Sequence, residues 1–175
     1  MNTPGSYYNQ SSERITFRKL TEADKLAWQS FFVDNDHLRF VAQDPDLGKE
    51  FLSDRWINYQ LDHYSKDNFG LLAMIEKSTG AFIGQAGILV REIEGQREYE
   101  IGYSLLQDFW RKGFASEASQ HFKNFGRSIK LAPRFISIIH KENIGSIKVA
   151  ENNGFKPLFD MTFFEMPVHV YGEEK

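Results

Sequence analysis

The chain has 175 residues, 41% of them hydrophobic, a formal net charge of -3 at pH 7 and no cysteine. That is one domain with enough apolar residues for a core. The missing cysteines exclude disulfides, thiolate metal sites and a cysteine nucleophile, and the weakly acidic balance gives no sign of a nucleic-acid surface. No apolar run approaches the roughly 20 residues of a membrane span. The opening MNTPGSYYNQSSER lacks the apolar core of a signal peptide. A cytoplasmic protein, monomeric or homodimeric, is expected.

Residues 1–13 are rich in Ser, Asn, Gly and Pro and read as a flexible arm ahead of a single domain over 14–175. Ile15–Leu20 alternates as a short strand. Thr21, with Asp24 three residues on, opens a helix over about 22–33 carrying Leu26, Trp28, Phe31 and Phe32. Asp34–Gly48 is polar, contains Asp44-Pro45 and reads as a loop. Lys49–Ser65 repeats Leu52, Trp56, Tyr59 and His63 at helical spacing. His63 on that stripe reads as a packing residue rather than a ligand. Three strands follow: Phe69–Glu76, Ala81–Arg91 and Glu98–Leu106, joined by KSTG and EIEGQ turns. Alternation on the last puts Tyr99, Ile101, Tyr103 and Leu105 on an apolar face. It puts Glu98, Glu100, Gly102, Ser104 and Leu106 on the other.

The stretch Gln107–Ala118, QDFWRKGFASEA, then leads from strand through loop into helix. A helix start leaves backbone N–H groups without partners and carries partial positive charge. Gly113 lets the backbone approach a ligand, and Arg111 and Lys112 add attraction for phosphate, so the loop has the parts of an anion cradle. Its helix repeats Ala118, Phe122, Phe125 and Ile129, and Pro133 stops it. Arg134–His140 is a buried strand reached by a helical crossover, so it should lie parallel to 98–106. Asn143 caps a helix over about 144–152, Asn153-Gly154 ends it, and Phe155–Phe159 and Met161–Tyr171 are two final antiparallel strands. The order predicts an α/β (α+β) fold: a single mixed, mostly antiparallel seven-stranded sheet with helices on both faces.

With these elements in this order, the chain resembles the GNAT superfamily of acyl-CoA N-acyltransferases over residues 14–171. The family's Gln/Arg-x-x-Gly-x-Gly/Ala loop aligns with Trp110-Arg111-Lys112-Gly113-Phe114-Ala115, with Trp110 in place of the usual Gln or Arg. The run W-x-K-G-[FY]-A-x-E-A, and Asn143-x-x-Ser146 followed by Gly154-Phe155, look like the RimJ/RimL-like branch, which acetylates protein N-termini and other amines. The resemblance implies acetyl-CoA as co-substrate. Backbone N–H groups of Arg111, Lys112, Gly113, Phe114, Ala115 and Ser116 would hold its pyrophosphate. The pantetheine would lie in a splay between strands 98–106 and 134–140, using the backbone of Leu105, and Asn143 would reach it.

Acetyl transfer to an amine needs a base for the amine proton, a donor for the oxyanion and an acid for the departing thiolate. Glu100, on the polar face of the strand entering the loop, is the expected base. Glu98 competes with it, and an ordinary solvated or ion-paired glutamate is the bland alternative. Ser146 is expected to act as the acid or as a cofactor-binding hydroxyl. Many relatives carry a tyrosine where Ala150 stands, so that route is closed at this position. His140 reads as a satisfied structural histidine. No His, Asp or Glu cluster has metal-ligand spacing. Asp34, Asp36, Asp44 and Asp46 make the 34–48 loop acidic, which would suit a cationic acceptor and reads equally as an ordinary solvated loop. The expected activity is acetyl transfer from acetyl-CoA to a primary amine, either a protein N-terminus or a small molecule, by direct transfer in a ternary complex. The alternative is a non-catalytic acyl-CoA-binding sensor module, told apart by whether a carboxylate stands at the site.

Overall fold

The computed structural model of the chain describes residues 5–66 and 69–174. Among these residues the sheet has eight strands in the order β1-β2-β3-β4-β5-β6-β8-β7. They are β1 (Asn9–Ser11), β2 (Ile15–Arg18), β3 (Gly70–Glu76), β4 (Phe82–Ile93), β5 (Gln96–Leu105), β6 (Ile136–His140), β7 (Lys156–Phe163) and β8 (Met166–Gly172). Every neighbouring pair is antiparallel except β5 and β6. The helices are α1 (Asp24–Trp28), α2 (Lys49–Lys66), α3 (Phe114–Ser128) and α4 (Ile144–Asn152). Among the described residues no helix is long and apolar enough to cross a membrane.

The eighth strand comes from the segment expected to be a flexible arm. Residues 1–4 lie outside the described residues, but residues 5–13 are built into the fold. Tyr7 is fully buried; its hydroxyl donates to the Gly70 carbonyl at 2.6 Å and accepts the Ile88 amide at 2.8 Å. Asn9–Ser11 then pair with β2. A polar strand at a sheet edge is held by its backbone ladder and one buried anchor, so composition does not reveal it.

Two helices also depart from expectation. The one expected over 22–33 is α for only five residues and continues as a 3-10 turn over Gln29–Phe32. The buried positions of α2 are Leu52, Ser53, Ile57, Gln60 and Tyr64, while Tyr59 is 47% exposed. Gln60 and Ser53 are buried because each has a backbone partner: Gln60 Oε1 accepts the Leu71 amide and Ser53 donates to the Lys25 carbonyl. A polar residue with a specific partner sits inside where an apolar-stripe argument places it outside. His63 packs edge-on against Tyr59.

Register divides the core into two faces. Trp28, Phe31 and Trp56 form an aromatic cluster under α2, and the Trp56 indole donates to Gln85 on β4. On the other face Phe122 of α3 packs against Phe17 and Tyr7. Through the β4–β5 ladder, Gln85 pairs with Ser104 and Ala86 with Tyr103. Paired residues share a face, so Glu100, Gly102 and Ser104 face α2, while Ile101, Tyr103 and Leu105 face α3. The final hairpin turns at Phe164–Glu165, not near Asp160, and β8 lies between β6 and β7.

The anchoring of the N-terminal segment is testable. Tyr7→Phe leaves a buried amide and a buried carbonyl without their partner. It is expected to cost about 1–3 kcal/mol in urea unfolding. A variant as stable as the parent would show that the segment does not contribute to the fold.

Candidate active site

The one parallel contact in the sheet is short. β5 and β6 pair only at Glu100↔Ile136. Just beyond, the Ser137 hydroxyl donates to the Ile101 carbonyl at 2.9 Å, a side chain taking the place of the next ladder bond. Beyond that point the strands part. The Leu106 amide donates to Ile83 of β4, so alternation along an antiparallel strand turns the backbone groups of Tyr103 and Leu105 to the opposite, opened edge. The Leu105 carbonyl is already taken there by the Trp110 indole N–H at 2.8 Å, which leaves its N–H toward the opening. His37 lies flat on that indole, with ring centroids 4.4 Å apart. Burial, with the charge of Arg39, holds the His37 pKa below its ordinary value, which keeps the ring neutral at pH 7. Trp110 thus ties the loop to the end of β5, and this accounts for an indole where the resemblance led one to expect Gln or Arg.

The start of α3 has no side-chain cap. Its first i→i−4 bond runs from the Glu117 amide to the Gly113 carbonyl, so the amides of Phe114, Ala115 and Ser116 precede any helical partner. Gly113 is left-handed at φ 82 and Arg111 at φ 59. The Gly113 conformation is one that a side chain strains, and an added Cβ would lie 3.3 Å from the Arg14 guanidinium. Glu117 would oppose an anion here, but its carboxylate is bound by the Ser12 hydroxyl at 2.6 Å and by the Arg14 amide and Nε, each at 2.7 Å. Burial alone would raise the Glu117 pKa, but these bonds and the Arg14 charge hold it below the ordinary glutamate range.

Two cavities flank β5. One, of about 750 Å³, is lined by Arg39, Leu105, Arg111, Gly113–Ser116 and the first turns of α4. The other, of about 500 Å³, lies on the α2 face and is lined by Arg91, Glu100, Gly102 and the β7–β8 hairpin. Both reach Tyr103, Ser104, Asn143 and Ser146. Asn143 caps α4, its Oδ1 accepting the Ser146 amide at 3.1 Å. The Tyr103 hydroxyl donates to the Ser146 carbonyl at 3.1 Å, and burial pushes its pKa well up.

The structure thus brings together Glu100, Ser146, Leu105, Arg111, Gly113, Phe114, Ala115, Ser116 and Asn143. Lys112 stays apart: its ammonium sits over the Phe109 ring, 5.2 Å from the centroid, outside both cavities. Glu98 and Glu100 were expected on a polar face, yet both are buried because α2 and the hairpin cover that side. Glu98 is paired with Arg134, and Glu100 Oε2 accepts from Arg91 Nε at 2.6 Å. Glu98 lines neither cavity. Asp34, Asp36, Asp44 and Asp46 line neither cavity as well. Asp44 instead accepts the Asp46 amide, as local turn chemistry. His140 reaches the α2-side cavity with its Nδ1 accepting the Glu142 amide. Tyr103 and Arg14 escape a reading of the sequence. Tyr103 looks like one more apolar strand residue, and Arg14 meets the α3 start only through the fold.

A model of the acetyltransferase (GNAT) domain matches residues 14–156. The chain belongs to the GNAT acetyltransferase family. It is 27% identical over 161 residues to the protein YkkB of Bacillus subtilis, covering 91% of this chain and 92% of that one. An acetyltransferase structure from Agrobacterium tumefaciens superposes with a TM-score of 0.76 at 24% identity, covering 100% of this chain and 99% of the other. RimL, a ribosomal L7/L12 alpha-N-protein acetyltransferase solved with coenzyme A, shares the fold with a TM-score of 0.73 at 16% identity, over 94% and 96% of the two chains.

The Glu117 cluster gives a pH prediction. Its folded pKa is depressed, so its contribution is complete above the ordinary glutamate range and fades as pH falls through the lowered value. Glu117→Gln should therefore cost about 1–3 kcal/mol at pH 7 and progressively less toward pH 3, measured by urea unfolding. An equal loss at both pH values would mean the carboxylate charge is not what the cluster uses.

Proposed function

We propose that this family member is an acetyl-CoA-dependent N-acetyltransferase acting in the cytoplasm, which moves the acetyl group directly to a primary amine held beside it. The observation that carries the reading is the meeting of the two cavities at Tyr103, Ser104, Asn143 and Ser146. The larger has what coenzyme A asks of a protein: uncapped helix amides and Arg111 for the pyrophosphate, and an opened strand edge for the pantetheine amides. RimL, with the same fold, is solved with coenzyme A. Acetyl-CoA supplies the acetyl group as a thioester.

Within the smaller cavity Glu100 is the base. Arg91 fixes one of its carboxylate oxygens, and the other is left to take the amine proton directly or through a water. The Tyr103 hydroxyl lies where the two cavities meet and can turn from the Ser146 carbonyl to hydrogen-bond the departing thiolate, whose proton then comes from solvent. Ser146 stands beside it as a second hydroxyl. The backbone N–H groups of Tyr103 and Leu105 at the open edge are the donors for the oxyanion. A chain without cysteine offers no thiol for an acyl-enzyme, and orientation of two bound reactants takes that role. A non-catalytic sensor would need the larger cavity but not the smaller one with its carboxylate.

Coenzyme A should stabilise the chain by about 2.7 kcal/mol at a hundredfold excess over its dissociation constant, and ATP or NAD by much less. Gly113→Glu should abolish that shift while circular dichroism stays native. Glu100→Gln should keep coenzyme A affinity and lose about 10²–10⁴-fold in turnover in a thiol-release assay. No thermal response to coenzyme A would remove the proposal, and undiminished turnover in Glu100→Gln would remove the base.

A further inference from the structure

The smaller cavity also limits what the acceptor is, on the reading that this is the acceptor side of an acetyltransferase. Its wall carries the rings of Phe40, Trp56, Tyr59, Phe163 and Phe164 and the side chain of Met166. Trp56 is fixed from behind by Phe31 and by its indole bond to Gln85, so the aromatic surface is preformed. The charges on the wall do not suit a polycation. Arg91 and Glu100 neutralise one another, and Arg55 at the rim adds a positive group, held on Gln43 at 2.6 Å. The aspartates that could have drawn in a second cationic centre lie outside the lining.

Phe164 gives an independent pointer. It is 65% exposed, and with Glu165 it forms the two-residue turn between Phe163 and Met166, at φ 46 and 63. Two-residue hairpin turns with both φ values positive favour Asn-Gly or Asp-Gly. A phenylalanine there takes a strained backbone and leaves most of its ring exposed, with an edge-on contact to the neighbouring Phe163. Strain of this kind collects at sites where the side chain has a task. Here the ring lies on the lip of the cavity.

We infer that the acceptor is a small primary amine on an aromatic or branched apolar body, gripped between Trp56, Tyr59 and Phe164, and neither a polyamine nor a polar peptide N-terminus. Apolar walls favour the neutral amine, the form that attacks, over its ammonium form. The amine nitrogen bonds to the thioester carbonyl carbon, the carbon–sulfur bond breaks, the amine proton leaves by way of Glu100, and the sulfur leaves as a thiolate that Tyr103 hydrogen-bonds and solvent protonates.

The test compares 2-phenylethylamine, spermidine and a Ser-initiated peptide as acceptors for the full chain with acetyl-CoA. Binding of 2-phenylethylamine to the coenzyme A-loaded protein is measured separately by titration calorimetry. The expected result is a kcat/KM for 2-phenylethylamine at least tenfold above both others, and measurable binding. Phe164→Gly relaxes the turn, so its Tm should be equal or higher. It should still raise KM for 2-phenylethylamine about 10-fold or more, the scale of one lost apolar contact, with KM for acetyl-CoA unmoved. Preference for spermidine or the peptide, or an unchanged KM in Phe164→Gly, overturns the inference while leaving the acetyltransferase standing. Absence of both coenzyme A binding and thiol release with every acceptor overturns both.

Discussion

β5 and β6 form one parallel bridge and then separate, and the chemistry this chain can support depends on that parting. A parallel pair is normally buried and fully bonded. Here α3 crosses between the two strands and β8 takes the far edge of β6, so β6 is held in the sheet from its other side and β5 from β4. Neither needs the other beyond Glu100. The Ser137 hydroxyl closes the last bond and the Tyr103 phenol reaches across to α4. The opened edge is therefore bounded by specific contacts. It exposes backbone donors that a ligand amide can satisfy, and both helix N-termini of the α3–α4 side adjoin it.

The electrostatics follow from the same geometry. Covering the α2 face of β5 buries Glu98 and Glu100, which is tolerable only with partners. Arg134 neutralises Glu98, and Arg91 neutralises Glu100. The two glutamates differ in position: only Glu100 reaches a cavity. On the α3 face Arg14 does the corresponding work for Glu117, removing a carboxylate that would oppose an anion at the helix start. Both faces of one strand thus carry acidic residues nearby, balanced by Arg14 and Arg134 from far along the chain and by Arg91 from across the β4–β5 turn.

Elements with strong local signals were legible in the sequence. The β3–β4–β5 meander, the loop at Gly113, the Asn143 cap and the mixed sheet with helices on both faces followed from alternation, helix-start chemistry and the crossover rule, and family resemblance joined them. What was not legible depended on partners far along the chain. Tyr7 is an anchor only because Gly70 and Ile88 meet it. Glu100, expected as a base with an ion pair among its alternatives, is paired with Arg91 across the β4–β5 turn, and the place of the Lys112 ammonium over Phe109 depends on how the loop folds. The β7–β8 turn was misplaced because Phe164-Glu165 has none of the usual turn residues, and Asp160 has the look of one. That the aspartates of the 34–48 loop line neither cavity is likewise not written in composition.

The central claim is that two reactants meet in the opened edge and that no covalent intermediate on the chain is needed. Initial rates measured against the amine at several fixed acetyl-CoA concentrations test it most directly, with intact-mass analysis after incubation with acetyl-CoA alone. Intersecting lines and no stoichiometric acetyl adduct are predicted. Parallel lines together with a turnover-competent adduct would contradict the account, and Ser146 would then be the first nucleophile to examine.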